Sequence, residues 1–215
     1  MSQSDEPVPE GKWVKGVSPK QPLHLAAHLI LKSRLSAVSS WLPFAANKSD
    51  EDVEYVHQLR VSTRRAVEAL RVFSDLIPKS ACQELRAKLR EVRLAADEAR
   101  NLDVLCSEFL RCADASCEDT CRQIAAAITD RRKSAQQPIV AVHERLLTEE
   151  FPEQIEAVLN AVKSESDGTS KRSYGRQAPR YLKPVLKKFF KASDADLSDD
   201  EALHTLRIQT KKLRY

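Results

Sequence analysis

Glycine is scarce, with 4 in 215 residues. That leaves no material for a collagen repeat, a glycine-rich dinucleotide loop or a turn-rich β sandwich. Methionine occurs once and aromatic residues make up only 6% of the chain. No stretch approaches the roughly 18 consecutive apolar residues that a membrane-spanning helix needs. The first 22 residues, MSQSDEPVPEGKWVKGVSPKQP, hold acids and prolines without an apolar core, so they do not read as a secretory signal. The five cysteines (Cys82, Cys106, Cys112, Cys117, Cys121) are odd in number, which points to reduced thiols in a cytoplasmic protein. Their C-x5-C-x4-C-x3-C spacing lacks the paired C-x2-C knuckles of a structural zinc site. His24 and His28 stand four apart without the glutamate of an H-E-x-x-H helix. No metal and no cofactor are expected.

What is present reads as helix. Hydrophobic residues are 42% and charged residues 31% of the chain, enough for a core in one domain or two small ones. The spacing predicts a first helix from Gln21 to Trp41 ended by Pro43, and a second from the acids Asp50, Glu51, Asp52 and Glu54 to Ile77. A third is predicted from Ser80 to Arg111, a fourth from Ala115 to Leu147, and a short fifth from Phe151 to Val162. A sixth is expected from Tyr174 to Ala192 and a seventh from Ser198 onward. No period-2 segment of useful length occurs, so the fold class is all-α. Residues 1–19 are expected to be a disordered tail, 20–163 a first helical bundle with a short bridging helix, 164–173 a linker, and 174–215 the start of a second bundle.

The net charge of +4 conceals a marked asymmetry. Eight lysines or arginines and no acid lie between Lys171 and Lys191, and five acids without a base follow between Ala192 and Glu201. Such a cationic run points to an anionic partner.

One internal repeat stands out. Glu54-Tyr-Val-His-Gln-Leu-Arg-Val-Ser-Thr-Arg-Arg aligns with Glu201-Ala-Leu-His-Thr-Leu-Arg-Ile-Gln-Thr-Lys-Lys at a constant offset of 147 residues. The shared string is H-x-L-R-(V/I)-x-T-(R/K)-(R/K). At about 100° per residue, His57, Arg60, Arg64 and Arg71 fall on one narrow stripe, beside an apolar sector of Val56, Leu59, Ala66, Leu70 and Phe73. His204, Arg207, Lys211 and Arg214 form the same stripe in the second copy. Arg86, Arg90, Arg93 and Arg100 make a comparable stripe on the third predicted helix, as do Arg176, Arg180, Lys183, Lys187 and Lys191 on the sixth. Like charges at i, i+4 cost a helix about 0.2–0.5 kcal/mol per pair, and a bound polyanion would remove that repulsion.

The segments VHQLRVSTRRAVEALRVF from Val56, ARNLDVL from Ala99 and LHTLRIQTKKLRY from Leu203 resemble the CHAD family, the conserved histidine α-helical domains. The resemblance covers Gln21 to Tyr215 and implies two related antiparallel helical bundles around a basic central groove that binds inorganic polyphosphate. Carried over position by position, it implies phosphate contacts from His57, Arg60, Arg64, Arg65, Arg100, His204, Arg207, Lys211, Lys212 and Arg214. The stripes add Arg71, Arg90, Arg93, Arg180 and Lys187 as candidates. Val67, Asn101 and Asp97 depart from the family pattern, which commonly has a basic residue, an aspartate and a glycine there. At the repeat offset a second bundle would extend about 80 residues past Tyr215. An incomplete second bundle is therefore expected, left open by truncation or covered by self-association or a partner chain.

The expected function is non-catalytic binding of inorganic polyphosphate, in a cytoplasmic protein that would associate with polyphosphate granules. No catalytic residue is assigned, because neither a G-x-x-x-x-G-K-(S/T) loop nor an alternating Glu-x-Glu-x-Lys strand occurs. The paucity of aromatics argues against nucleic acid, whose single strands are held by stacking. A nucleic-acid or ribosome-associated helical adaptor, or an accessory part of a triphosphate- or polyphosphate-processing enzyme, is the alternative.

Overall fold

The computed structural model describes residues 11–112, 118–164 and 173–214. Among them every regular element is a helix, so the protein is all-α. No helix among these residues is long and apolar enough to cross a membrane.

Helix α1 (Leu23–Asn47) carries the main core seam. Ala27, Leu31, Leu35, Val38 and Ala45 recur at helical spacing and are fully buried, each leucine contributing about 1.5–3 kcal/mol. The helix does not end at Trp41. It runs through Pro43 for another turn, although an interior proline forfeits a hydrogen bond and costs about 3 kcal/mol. Burial of Leu42, Ala45 and Ala46 offsets that cost.

Helix α2 (Glu54–Val72) packs along α1. Its first turn is fixed by the Asp52 carboxylate, which accepts the Glu54 amide at 2.8 Å, while Asp50 and Glu51 lie in the preceding turn. The helix stops five residues before Ile77. A single 3-10 turn (Ser74–Leu76) follows, and Ile77 is extended at φ −123°, ψ 137°, because the Pro78 ring excludes the α conformation from its predecessor.

The third predicted helix is two. Helix α3 (Lys79–Ala95) and helix α4 (Asp97–Cys112) meet at Ala96, which is fully buried with φ −89° and ψ −1°. Asp97 and Glu98 supply negative charge to the new helix start. The fourth is also divided, into α5 (Glu118–Ser134) and α6 (Gln137–Thr148). Pro138 stands in the first turn of α6, where a missing N–H costs nothing. Helix α7 (Phe151–Ser164) matches the expected short helix and packs on α1.

Buried polar bonds lock these pieces together. Arg132 on α5 donates to the Asp103 carboxylate on α4 at 2.6 Å, with the two side chains 14% and 3% exposed. Arg132 also donates to the Gln136 side-chain oxygen at 3.0 Å. Gln136 in turn donates to the Ala45 and Ala46 carbonyls at 2.7 and 2.8 Å, satisfying the end of α1. The aspartate of ARNLDVL is thus a core fastener. Lys88 of α3, only 9% exposed, pairs with Glu149 at 2.9 Å.

Helix α8 (Tyr174–Ser193) and helix α9 (Asp200–Arg214) form a hairpin. The start of α8 is tied to the strap before α1 by the Tyr174 and Gly175 amides, which donate to the Gln21 and Pro19 carbonyls at 2.9 Å each. A Cβ on Gly175 would stand 2.9 Å from the Cβ of Pro19, so glycine permits this approach. Within the expected tail, the Gly11 and Lys12 carbonyls accept from Arg34 at 3.1 and 3.0 Å. Residues 1–10 of that tail, and most of the expected linker, lie outside the described residues.

Candidate functional site

The two copies of the repeated motif fold alike and are buried unlike. Thr63 donates its hydroxyl to the Leu59 carbonyl at 2.6 Å, and Thr210 donates to the Leu206 carbonyl at 2.8 Å. The motif threonine therefore bonds back one turn in both copies, a local habit of helical threonine. In α2, Val56, Leu59, Thr63 and Ala66 are completely buried. Their counterparts in α9 are not: Leu203 is 45% exposed, and no residue of α9 is buried.

Between α2, α3 and α9 lies a groove of about 920 Å³. Arg64 enters it from α2, Arg86, Arg90 and Arg93 from α3, and Lys211 and Lys212 from α9, together with Val67, Gln83, Ala87 and Ile208. Among the described residues Glu68 is the one carboxylate in this lining, and it pairs with Arg71 at 2.6 Å. Among the described residues, Arg64, Arg86 and Arg90 make no ion pair with a carboxylate.

A smaller groove of about 250 Å³ adjoins it where α8 meets α2 and α9. Arg71, Arg180, Lys188 and Lys212 line it with Tyr181, Pro184 and Val185, so Lys212 belongs to both. Tyr181 meets the buried Phe73 ring edge-on, 6.3 Å between centroids, and this contact seats α8 on the end of α2.

His57 is half-buried beside the first groove wall, close enough to Arg60, Arg64 and Arg100 for their charges to act on it. Arg60 and Arg93 both donate to the Asp97 carboxylate, Arg93 at 3.2 Å. Because the chain breaks at Ala96, Arg100 does not continue the α3 stripe. It stands on α4 and acts on His57 instead.

The family model described as CHAD domain matches residues 30–215. The chain belongs to the CHAD family. The crystal structure of the CHAD domain from the plant Ricinus communis superposes with a TM-score of 0.73 at 23% identity, covering 97% of this chain and 68% of that one. No curated protein matches.

In this CHAD chain the fifteen sequence candidates separate by place. Arg64, Arg90, Arg93, Lys211 and Lys212 meet in the larger groove, and Arg71 and Arg180 in the smaller. His57, Arg60 and Arg100 cluster behind the α2 wall. Arg65 is half-buried on α2 and lines neither groove. Lys187 on α8 and His204, Arg207 and Arg214 on α9 are exposed and also outside both linings. Lys171 and Arg172, the start of the cationic run, lie outside the described residues. Two lining cations stand outside these fifteen: Lys188, which follows Arg180 and Pro184 at i+4 steps on the face that meets α2, and Arg86, at i, i+4, i+7 with Arg90 and Arg93.

Electrostatics set the resting state of these groups. Burial pulls the His57 imidazole below its ordinary pKa; Glu54 opposes this, and Arg100, Arg60 and Arg64 push it further down. Burial lowers the Arg93 value too, reinforced by Arg64 and Arg90. Closely spaced guanidinium groups of this kind are relieved by an anion that accepts from several at once.

Proposed function

We propose that this CHAD domain binds inorganic polyphosphate, or a polyanion of the same geometry, without chemical conversion, in the groove between α2, α3 and α9. The observation that carries the reading is the convergence of Arg64, Arg86, Arg90 and Arg93 with Lys211 and Lys212, contributed by the two motif copies and α3, around one cavity. Arginine offers a planar fork to phosphate oxygens and lysine a compact charge. A chain bearing about one charge per phosphate would neutralise these cations in series and release their counterions, as nucleic acid does when it is bound. The apolar residues between the cations are Val67, Ala87 and Ile208, and among the described residues the lining offers no ring on which a base could stack.

The test is calorimetric titration with long-chain polyphosphate across a salt series, on the parent and on Arg64→Ala/Lys211→Ala. Affinity is expected to fall steeply with salt, and to drop at least about tenfold in the double variant while helicity is retained. Salt-insensitive binding, or equal affinity in the double variant, would discard the groove. Single-stranded RNA that displaces polyphosphate as well as polyphosphate displaces RNA would favour a nucleic-acid adaptor. Release of orthophosphate would make the protein an enzyme.

A further inference from the structure

Asp97 is paired with one cation of the groove, Arg93, and with Arg60 behind the α2 wall. One oxygen of its carboxylate accepts from Arg60 on α2, and the other accepts from Arg93 on α3 at 3.2 Å. The same Arg60 guanidinium reaches the Arg93 carbonyl at 3.5 Å. Three helices therefore meet at one carboxylate, itself on the first residue of α4. Arg93 is also a lining residue of the large groove. The two carboxylate oxygens of Asp97 occupy the donors of two arginines, as a phosphate would.

We propose that Asp97 is a built-in competitor of the ligand, a carboxylate that holds Arg60 and Arg93 and so makes the groove selective for long polyanions over short ones. The proposal rests on the polyanion reading of the groove. An internal carboxylate competes at an effective concentration on the order of millimolar or above, which a free anion must exceed to take its place. A short phosphate that docks among Arg64, Arg90 and Arg93 meets that competition in full. A long chain does not, because it still holds Arg64, Arg86, Arg90, Lys211 and Lys212 when Asp97 stays in place. Its remaining phosphates then stand beside Arg93 in high local concentration. Specificity arises here from a repulsive element set against the unwanted ligand. Glu68, across the groove, is engaged with Arg71 and leaves Arg93 to Asp97.

Asp97→Asn keeps the size and one acceptor and removes the charge, whereas Asp97→Glu keeps the charge. Calorimetry with sodium tripolyphosphate and with long-chain polyphosphate gives an affinity ratio for each protein. In Asp97→Asn, tripolyphosphate is expected to bind about fivefold tighter, the factor that corresponds to losing one partly buried ion pair. The long chain should gain less, so the ratio falls, and Asp97→Glu should hold it near the parental value. An unchanged ratio in Asp97→Asn, or loss of both affinities together with a lower melting temperature, would make Asp97 a structural clamp and overturn the proposal. If parent and variant both fail to bind either polymer, the groove reading itself fails. That result is distinct from an unchanged ratio in proteins that bind.

Discussion

At His57, burial and the cations Arg100, Arg60 and Arg64 outweigh the favourable field of Glu54, so the folded protein resists protonating this ring. Its folded pKa lies below the unfolded value, which is about 6.5. Between those two values the unfolded chain binds more proton, so stability is full above the unfolded value and is lost as pH falls through the folded one. The expected outcome is a melting temperature that falls from about pH 7.5 to about pH 5.5, and falls less in His57→Gln. His143 shifts in the same direction through burial, which is why the difference between parent and variant is the relevant measurement. A difference that stays constant over that interval would remove His57 from the account. Polyphosphate in the groove should weaken this depression: an anion that neutralises Arg64 removes one of the charges pushing the imidazole down, so binding takes up proton and strengthens in acid.

Among the elements, the connection that fixes α4, α5 and α1 runs through side chains, from Asp103 to Arg132 to Gln136 to the last carbonyls of α1. Gln136→Leu would strand two carbonyls and is expected to cost about 1–2 kcal/mol in urea denaturation. Arg132→Ala would leave the Asp103 carboxylate buried without its partner, at a cost of about 3–5 kcal/mol, and Arg132→Leu/Asp103→Leu should recover much of that loss. If Arg132→Ala proves harmless, the pair is not the fastener described. The same elements show what the sequence made legible. Periodicity located α2, α7, α8 and α9 because each presents one clear apolar stripe beside a polar face. It missed the break at Ala96, where no proline or glycine marks the boundary and the cause is tertiary: a small buried residue lets α4 turn so that Asp97 meets Arg60 and Arg93. It overread Pro43, whose local penalty is outweighed by core burial, and passed over Pro138, whose position in a first turn announced a new helix. Of the residues that line the large groove, the repeat names Arg64, Lys211 and Lys212, and the stripes name Arg90 and Arg93. Which cations face the groove and which face solvent depends on how α9 sits, and that no local pattern encodes.

For the whole molecule, the decisive contrast is between α2 and α9, one motif in two environments. Val56 is completely buried and its repeat partner Leu203 is 45% exposed; Ile208, which lines the large groove, remains 37% exposed. Helix α9 packs chiefly on α8, while α2 packs on α1 and α3 and meets α4. An isolated helix of about 15 residues is marginal in water, and tertiary burial supplies most helical stability. The backbone amides of α9 should therefore exchange with solvent through local opening, at least about tenfold faster than those of α2, which need global unfolding of the core that α2 forms with α1 and α3. A polyphosphate chain that spans Arg64, Arg86 and Arg90 on one wall and Lys211 and Lys212 on the other would hold α9 closed. Hydrogen exchange is then expected to slow in α9 on adding polyphosphate, to stay unchanged in α6 and α7, and to return towards the unliganded rate at high salt as the anion is released. Equal protection of α2 and α9 without ligand would show that α9 is stabilised by contacts other than those described. Tight polyphosphate binding that leaves α9 exchange untouched would place the ligand elsewhere, because a chain held between the two motif copies cannot bind both walls and leave one of them free to open.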